Sequence, residues 1–298
     1  MVRSMLLWIR RSGLFSRLGV SLRRCPLGWF AVDEVPLLVA TDLDGTIIHG
    51  DGTISDRTVA AFARVEDAGA RFVLVTGRPP RVMVNIAARF GHRGTAICAN
   101  GAVTYDMHTD TVTAGRLIAP AELAAAAAAL RAAIPGIGIA VEYPDGRAAD
   151  GVFQAIMFEM DKSIPRPGDE AMFARPASKL LGRHLEYTPD ELLALAAPAL
   201  DGLVSVSHSN GKGLIEASAT GVSKATAVAE LAAGYGITPQ AVIAFGDMPN
   251  DLPLMHWAGT SCAVANAHPD VLAAATHVIG SNDADGVAEY LERLYPAG

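Results

Sequence analysis

Two carboxylates, Asp42 and Asp44, close the apolar run Leu37-Leu38-Val39-Ala40-Thr41 and are followed at once by Gly45 and Thr46. Side chains two apart on extended backbone leave on one face. Carboxylates so placed repel each other, and the repulsion is tolerable when a cation lies between them or one carries a proton. A hard divalent ion such as Mg²⁺ suits such oxygen ligands. Taken alone, an acidic turn capping a strand explains a D-x-D as well. An EF-hand loop does not, because Thr46 and Ile47 stand where it needs Asp or Asn and then Gly.

Three further segments put chemistry-bearing residues at comparable places. Arg71-Phe72-Val73-Leu74-Val75 reads as a buried strand and ends in Thr76-Gly77-Arg78-Pro79. Ala241-Val242-Ile243-Ala244-Phe245 is another, ending in Gly246-Asp247-Met248-Pro249-Asn250-Asp251. Between them Gly221-Val222-Ser223-Lys224 starts a helix with Ser223 as its cap, so that Lys224 falls in the first turn. A cation there opposes the helix dipole and points to an anionic partner. Each segment has an ordinary explanation: a threonine cap, a solvated lysine, an acidic loop. Together they supply what phosphoryl transfer requires, namely a nucleophile, an acid or base, donors for the phosphoryl oxygens and a cation. Ser209-Asn210-Gly211-Lys212-Gly213 lacks the earlier glycine of a P-loop, with Val206 in its place, and reads as a hairpin turn.

The elements that must carry these groups alternate. A strand from Val35 to Ala40, a helix from about Arg57 to Ala68 and the strand 71–75 form a βαβ unit, whose crossover is right-handed. A helix to about Phe90, a strand Thr95–Ala99 and a small hairpin begun by Asn100-Gly101 follow. From Leu117 the texture changes to an alanine-rich helix from Pro120 to Ala133, strand candidates 137–142, 154–158, 204–208 and 213–217, and a helix from Pro189 to Ala197. After Lys224 the alternation returns: helices at 252–258, 270–275 and 286–294, with strands at 261–264 and 277–279. The expected fold is α/β, a Rossmann-like doubly wound parallel sheet, with residues 35–116 and 220–298 as core and 117–219 as an inserted α+β domain. Ligands of such sheets bind at the carboxyl ends of the strands.

The 298 residues suffice for about two domains, and the formal charge of −7 argues against nucleic acid as a partner. The cysteines Cys25, Cys98 and Cys262 are scattered and odd in number, which suggests neither a disulfide framework nor a zinc site and fits a reducing cytoplasm. Residues 1–34 stand apart. They carry Arg3, Arg10, Arg11, Arg17, Arg23 and Arg24 and no acid before Asp33, and their apolar pieces are too short for a span or a signal peptide. The arm is expected to lie outside the fold as a disordered extension from an early start codon, the alternative being a basic amphipathic helix on a membrane surface.

Asp42-Leu43-Asp44-Gly45-Thr46 resembles the first motif of the haloacid dehalogenase superfamily of phosphohydrolases. Thr76-Gly77-Arg78 resembles its second, Lys224 after Gly221-Val222-Ser223 its third, and Gly246-Asp247-Met248-Pro249-Asn250-Asp251 its fourth. The insertion before Lys224 and the segment Asn100-Gly101-Ala102 resemble the Cof-like group, whose cap lies between the second and third motifs. Ala225 stands where that group often has Gly. The resemblance implies a Mg²⁺-dependent phosphatase of small phosphorylated metabolites, such as sugar phosphates or phosphorylated cofactors. Asp42 would be the nucleophile and Asp44 the acid and base. Thr76, Gly77, Lys224 and Asn250 would hold the phosphoryl group. Asp42, Asp247 and the Asp44 backbone carbonyl would bind the metal, with Asp251 supporting it. Glu142, Tyr143, His208 and Asn210 are the cap residues to inspect for substrate contact. A sugar phosphomutase and a metabolite-binding regulator are the alternatives.

Overall fold

The computed structural model describes residues 22–24, 30–32, 35–156, 164–208 and 213–297. Of the N-terminal arm it describes only two short strands, β1 (Leu22–Arg24) and β2 (Phe30–Val32), paired antiparallel as a unit of their own. The rest of the expectation for the arm lies outside the described residues. No helix among the described residues is long and apolar enough to cross a membrane.

The main unit begins with β3 (Leu38–Thr41), whose four residues are all buried. Then come α1 (Asp56–Asp67), β4 (Arg71–Val75), α2 (Val84–Arg89), β5 (Thr95–Cys98) and the hairpin β6 (Val103–Asp106) and β7 (Thr111–Gly115). After the inserted segment the chain resumes with α7 (Lys224–Gly234), β13 (Val242–Gly246), α8 (Leu252–Trp257), β14 (Thr260–Val264), α9 (Pro269–Ala274), β15 (His277–Ile279) and α10 (Gly286–Leu294). These strands form one sheet in the order β15-β14-β13-β3-β4-β5-β6-β7, parallel from β15 to β5 and antiparallel beyond. The chain leaves β3 toward β4 on one side and reaches β13 on the other only much later. The crevice between β3 and β13 is therefore the switch point of the sheet.

Buried strands with helices on both faces need apolar side chains in both directions. Val39, Leu74 and Ile243 face one core with Phe62, Val65 and Leu291, whereas Leu38, Ala40, Val73 and Val242 face another with Val228 and Leu254. Helix starts follow local chemistry. Ser55 accepts from the Thr58 amide at α1, and Ser223 accepts from the Thr226 amide at α7, as expected of N-caps.

The insertion contains α3 (Pro120–Ala133), β8 (Gly138–Tyr143), β9 (Gly146–Ala149), α4 (Gly151–Ile156), α5 (Asp169–Met172), β10 (Lys179–Arg183), α6 (Pro189–Leu200), β11 (Ser205–Ser207) and β12 (Leu214–Ser218). Its strands form an antiparallel sheet in the order β11-β12-β10-β8-β9. The α3 and α6 helices cover one face through Leu123, Leu130, Leu192 and Ala196, packed on Ile139, Val141, Leu180 and Ile215.

One expectation is corrected here, and one strand is added. The segment expected as a strand from Gln154 is part of α4 as far as Ile156. Asp150 caps it by accepting from the Phe153 amide at 2.8 Å, and a Cβ on Gly138 would lie 2.4 Å from the Phe153 nitrogen, so β8 admits the helix only because it carries glycine there. The central strand β10 was not anticipated. Its run is short, holds Gly182 and is bounded by Lys179 and Arg183, which masks its apolar character. The turn expected at 209–212 lies outside the described residues.

Phe62 is fully buried and meets Phe72 and Phe90 edge-on, at centroid separations of 5.2 and 5.6 Å. Phe62→Ala should cost about 3–5 kcal/mol through lost burial and a cavity. The expected result is a lower denaturation midpoint at unchanged m-value in urea, with the site itself intact.

Candidate active site

Four segments converge at the switch point. Asp42 follows β3 directly, and its amide donates to the Phe245 carbonyl at 3.0 Å, which carries β3 pairing past the strand end. Asp247 follows β13 in the same way. Gly45 makes this approach possible. Its φ is +79°, and a Cβ there would lie 2.3 Å from Asp247 Oδ2. Thr46 Oγ1 donates to Asp247 Oδ1 at 3.0 Å and fixes that carboxylate.

Lys224 enters this group from the first turn of α7. Its side chain is fully buried, and Nζ donates to Asp42 Oδ1 at 2.5 Å and to Asp251 Oδ1 at 2.6 Å. The anionic partners that its position called for are thus two carboxylates of the protein. Asp251 Oδ2 accepts from the amides of Asp247 and Met248, each at 3.1 Å, which folds the loop after β13 around it.

Asp42, Asp247 and Asp251 each bring an oxygen within 4.8 Å of the others. Three carboxylates against one ammonium leave an excess of negative charge in a buried place. Burial pushes the Asp42 carboxyl well up, against the pull of Lys224 and with the repulsion of Asp251 and Asp247 added. Burial and Asp251 push Asp247 up to about 7. Burial alone would lower the Lys224 ammonium, but Asp251 and Asp42 outweigh it and leave it raised. Oxygen donors with surplus charge in a shielded cluster fit a hard divalent cation, which would remove the repulsion.

Asp44 is placed differently. Its side chain is 53 % exposed and takes a two-pronged contact from Arg78, Nε to Oδ2 at 2.8 Å and Nη2 to Oδ1 at 2.5 Å. It does not join the carboxylate cluster, so only its backbone carbonyl is left for the metal role expected of it. Both Asp42 and Asp44 line a cavity of about 340 Å³, together with Gly77, Arg78, Glu216, Met248 and Asn250. Thr76 is buried, and its hydroxyl oxygen accepts from the Arg78 amide at 3.0 Å, leaving the hydroxyl proton for another acceptor.

Asp42, Asp247, Asp251 and Lys224 thus form one cluster, Asp42, Asp44, Gly77 and Asn250 line one cavity, and two residues without any sequence motif, Glu216 and Lys179, come close to them, with Asn100 between. Asn100 was read as a turn residue and, with Gly101 and Ala102, as part of the family resemblance, without a role at the site. It stands at the end of β5 beside the other strand ends, and its Oδ1 accepts from Asn250 Nδ2 at 3.1 Å. Ala99 and Asn100 take φ of 50° and 58°, and such left-handed non-glycine residues cost about 1–3 kcal/mol each. Glu216 and Lys179 come from the inserted sheet and carried no motif. The position of Asn100 after a buried parallel strand was the signal available for it. Of the residues named for inspection, Glu142 pairs with Arg81, Tyr143 donates to the Met172 carbonyl at 2.6 Å, and His208 lies 2.8 Å from Asp190. Asn210 lies outside the described residues.

Residues 39–291 match the family of haloacid dehalogenase-like hydrolases. The 5-amino-6-(5-phospho-D-ribitylamino)uracil phosphatase YitU of Bacillus subtilis (strain 168) is 25 % identical over 274 residues, covering 89 % of this chain and 99 % of its own. Pyridoxal phosphate phosphatase YbhA of Escherichia coli (strain K12) is 27 % identical over 276 residues, covering 85 % and 97 %. Among solved structures, the phosphatase BT1666 of Bacteroides thetaiotaomicron matches with a TM-score of 0.75 at 23 % identity, over 87 % of this chain and 95 % of that one.

A divalent cation that binds the folded cluster should stabilise the protein by about 2.7 kcal/mol at a hundredfold excess over its Kd. Thermal melts with and without added cation should show the shift in the wild type and lose most of it in Asp247→Asn.

Proposed function

Because the chain belongs to the haloacid dehalogenase-like hydrolase family, and is a phosphatase of it, we propose that it is a Mg²⁺-dependent enzyme that removes phosphate from a small phosphorylated metabolite through an aspartyl-phosphate on Asp42. The observation that carries this reading is the state of Asp42. It is buried at the switch point, one oxygen is held by Lys224, and it shares a cavity with Asp44.

Asp42 attacks the phosphorus with a carboxylate oxygen, the bond from phosphorus to the ester oxygen breaks, and Asp44 delivers a proton to the departing oxygen. Water then attacks the phosphorus of the acyl phosphate, Asp44 takes back a proton, and inorganic phosphate leaves with Asp42 regenerated. For proton delivery Arg78 must release one Asp44 oxygen, since the pairing engages both. A substrate phosphoryl group between them offers Arg78 a better anionic partner. The Thr76 hydroxyl donates a hydrogen bond to a phosphoryl oxygen. The Thr76 carbonyl accepts from the Asn100 amide, so peptide planarity turns the Gly77 N–H the opposite way. We assign that N–H, Lys224 and Asn250 to the phosphoryl oxygens. Asp42, Asp247 and the Asp44 carbonyl, supported by Asp251, would hold Mg²⁺, which supplies charge neutralisation at the phosphoryl group.

Residues 117–219 serve as the cap over residues 35–116 and 220–298, excluding water and selecting the leaving group. The substrates named for the two relatives share a phosphate ester on a small molecule, and that shared chemistry is what we carry over. A cytoplasmic location goes with this reading, supported by Cys98 and Cys262 being free and buried.

Phosphate release from a panel of phosphorylated sugars, nucleotides and cofactors should require Mg²⁺ and stop with chelator. Asp42→Asn should lower kcat at least ~10³-fold with the fold intact by circular dichroism. Turnover near wild type in that variant, or isomerised sugar phosphate without free phosphate, would overturn the reading.

A further inference from the structure

One face of the inserted sheet packs on α3 and α6. The other carries Lys179 and Glu216, diagonal neighbours on β10 and β12, whose side chains are only 5 % and 6 % exposed. Lys179 Nζ donates to Glu216 Oε1 at 2.6 Å. Charges so deeply buried are costly to place, and the chemistry above does not use either one.

Both reach the core at the phosphoryl side of the site. Lys179 Nζ donates to the Gly77 carbonyl at 2.7 Å. The carbonyls on either side are also held, that of Thr76 by the Asn100 amide at 3.0 Å and that of Arg78 by the Ala99 amide at 2.9 Å. The middle of three successive carbonyls in this loop is therefore fastened by a lysine of the cap. Glu216 Oε2 accepts from Asn100 Nδ2 at 2.8 Å. A carboxylate can only accept, so Glu216 dictates which end of the Asn100 amide faces it. The Asn100 oxygen then faces Asn250, and this in turn sets which end of the Asn250 amide faces Asn100. One ion pair in the cap orders two consecutive amides of the core. The turn that carries Asn100 is itself pinned, since a Cβ on Gly101 would lie 2.2 Å from the Ser223 carbonyl oxygen that precedes Lys224.

We propose that Lys179 and Glu216 form a positioning pair for phosphoryl transfer. When the cap lies on the core, the pair locks the Gly77 loop and the Asn100–Asn250 amides in the orientation that receives the phosphoryl group, so turnover depends on cap contact even for substrates too small to touch the cap. The inference rests on the phosphatase reading of the site. It makes the pair a device for assembling the site, separate from any selection of the leaving group.

The test compares the wild type with Lys179→Met/Glu216→Leu, Glu216→Gln, Asn100→Ala and Asn100→Ala/Glu216→Gln, using p-nitrophenyl phosphate and Mg²⁺. The apolar double variant removes both members of the buried ion pair together, so its melting temperature should fall much less than that of either single variant. Its kcat should fall about 10- to 100-fold, the scale of a small misplacement, while KM moves much less. Glu216→Gln should lower kcat alone but not further in the Asn100→Ala background, because the two act through one chain of bonds. A folded Lys179→Met/Glu216→Leu protein with wild-type kcat would overturn the proposal and leave the pair a structural latch. If that variant does not fold, the Asn100 cycle decides, and effects that multiply overturn the proposal. Wild-type protein that releases no phosphate from any ester removes the reading beneath it, and the proposal with it.

Discussion

Everything at this site hangs on a buried ammonium between two carboxylates. Lys224 lies at the start of a helix, where the dipole disfavours it, and gives up all contact with water. That placement is sustained only because Asp42 and Asp251 sit within 2.6 Å of its nitrogen. The same contacts draw three elements together: the end of β3, the loop after β13 and the start of α7. The fold of the core can be seen as the means of keeping that contact dry. It also leaves the cluster with more negative charge than the lysine can neutralise, a surplus that a dication would relieve. Folding and chemistry thus draw on one electrostatic arrangement.

The parallel sheet solves the geometric half of the problem. Strands that run side by side end at one edge, so residues 42, 76, 100 and 247, far apart in sequence, follow four neighbouring strands there. The antiparallel sheet of the insertion packs one face on α3 and α6, and its other face carries Lys179 and Glu216 beside an apolar cluster of Ala140, Leu181 and Phe153. Its Glu216 lines the same cavity as Asp42 and Asp44, so the cavity is shared between the two sheets.

What the sequence disclosed follows from this geometry. A buried parallel strand is a near-continuous apolar run, and its end is marked where Asp, Thr or Gly breaks it. Asp42, Thr76 and Asp247 were legible for that reason, and Lys224 because a cation in a first turn is out of place. Asn100 stood out with Gly101 and Ala102 by resemblance, but its contacts were obscured because Asn-Gly is also a common signal of a tight turn, and here it is both a turn and a contact. In the insertion the strands are short and alternate less cleanly. Lys179 and Glu216 look like ordinary solvent-facing charges in sequence, and only the packing of the two sheets shows that they are buried. The run after Asp150 was read as a strand because short apolar stretches carry too little periodicity to separate the two states.

The central claim is that Asp42 itself carries the phosphoryl group during turnover. The most direct measurement is an acid quench of Asp44→Asn during reaction with a good substrate, followed by peptide mass spectrometry. Loss of the proton-handling carboxylate should slow hydrolysis of the intermediate, so the account predicts phosphate on the peptide containing Asp42 and nowhere else. Phosphate found on another side chain, or product formed while Asp42 stays unmodified at every quench time, would contradict it.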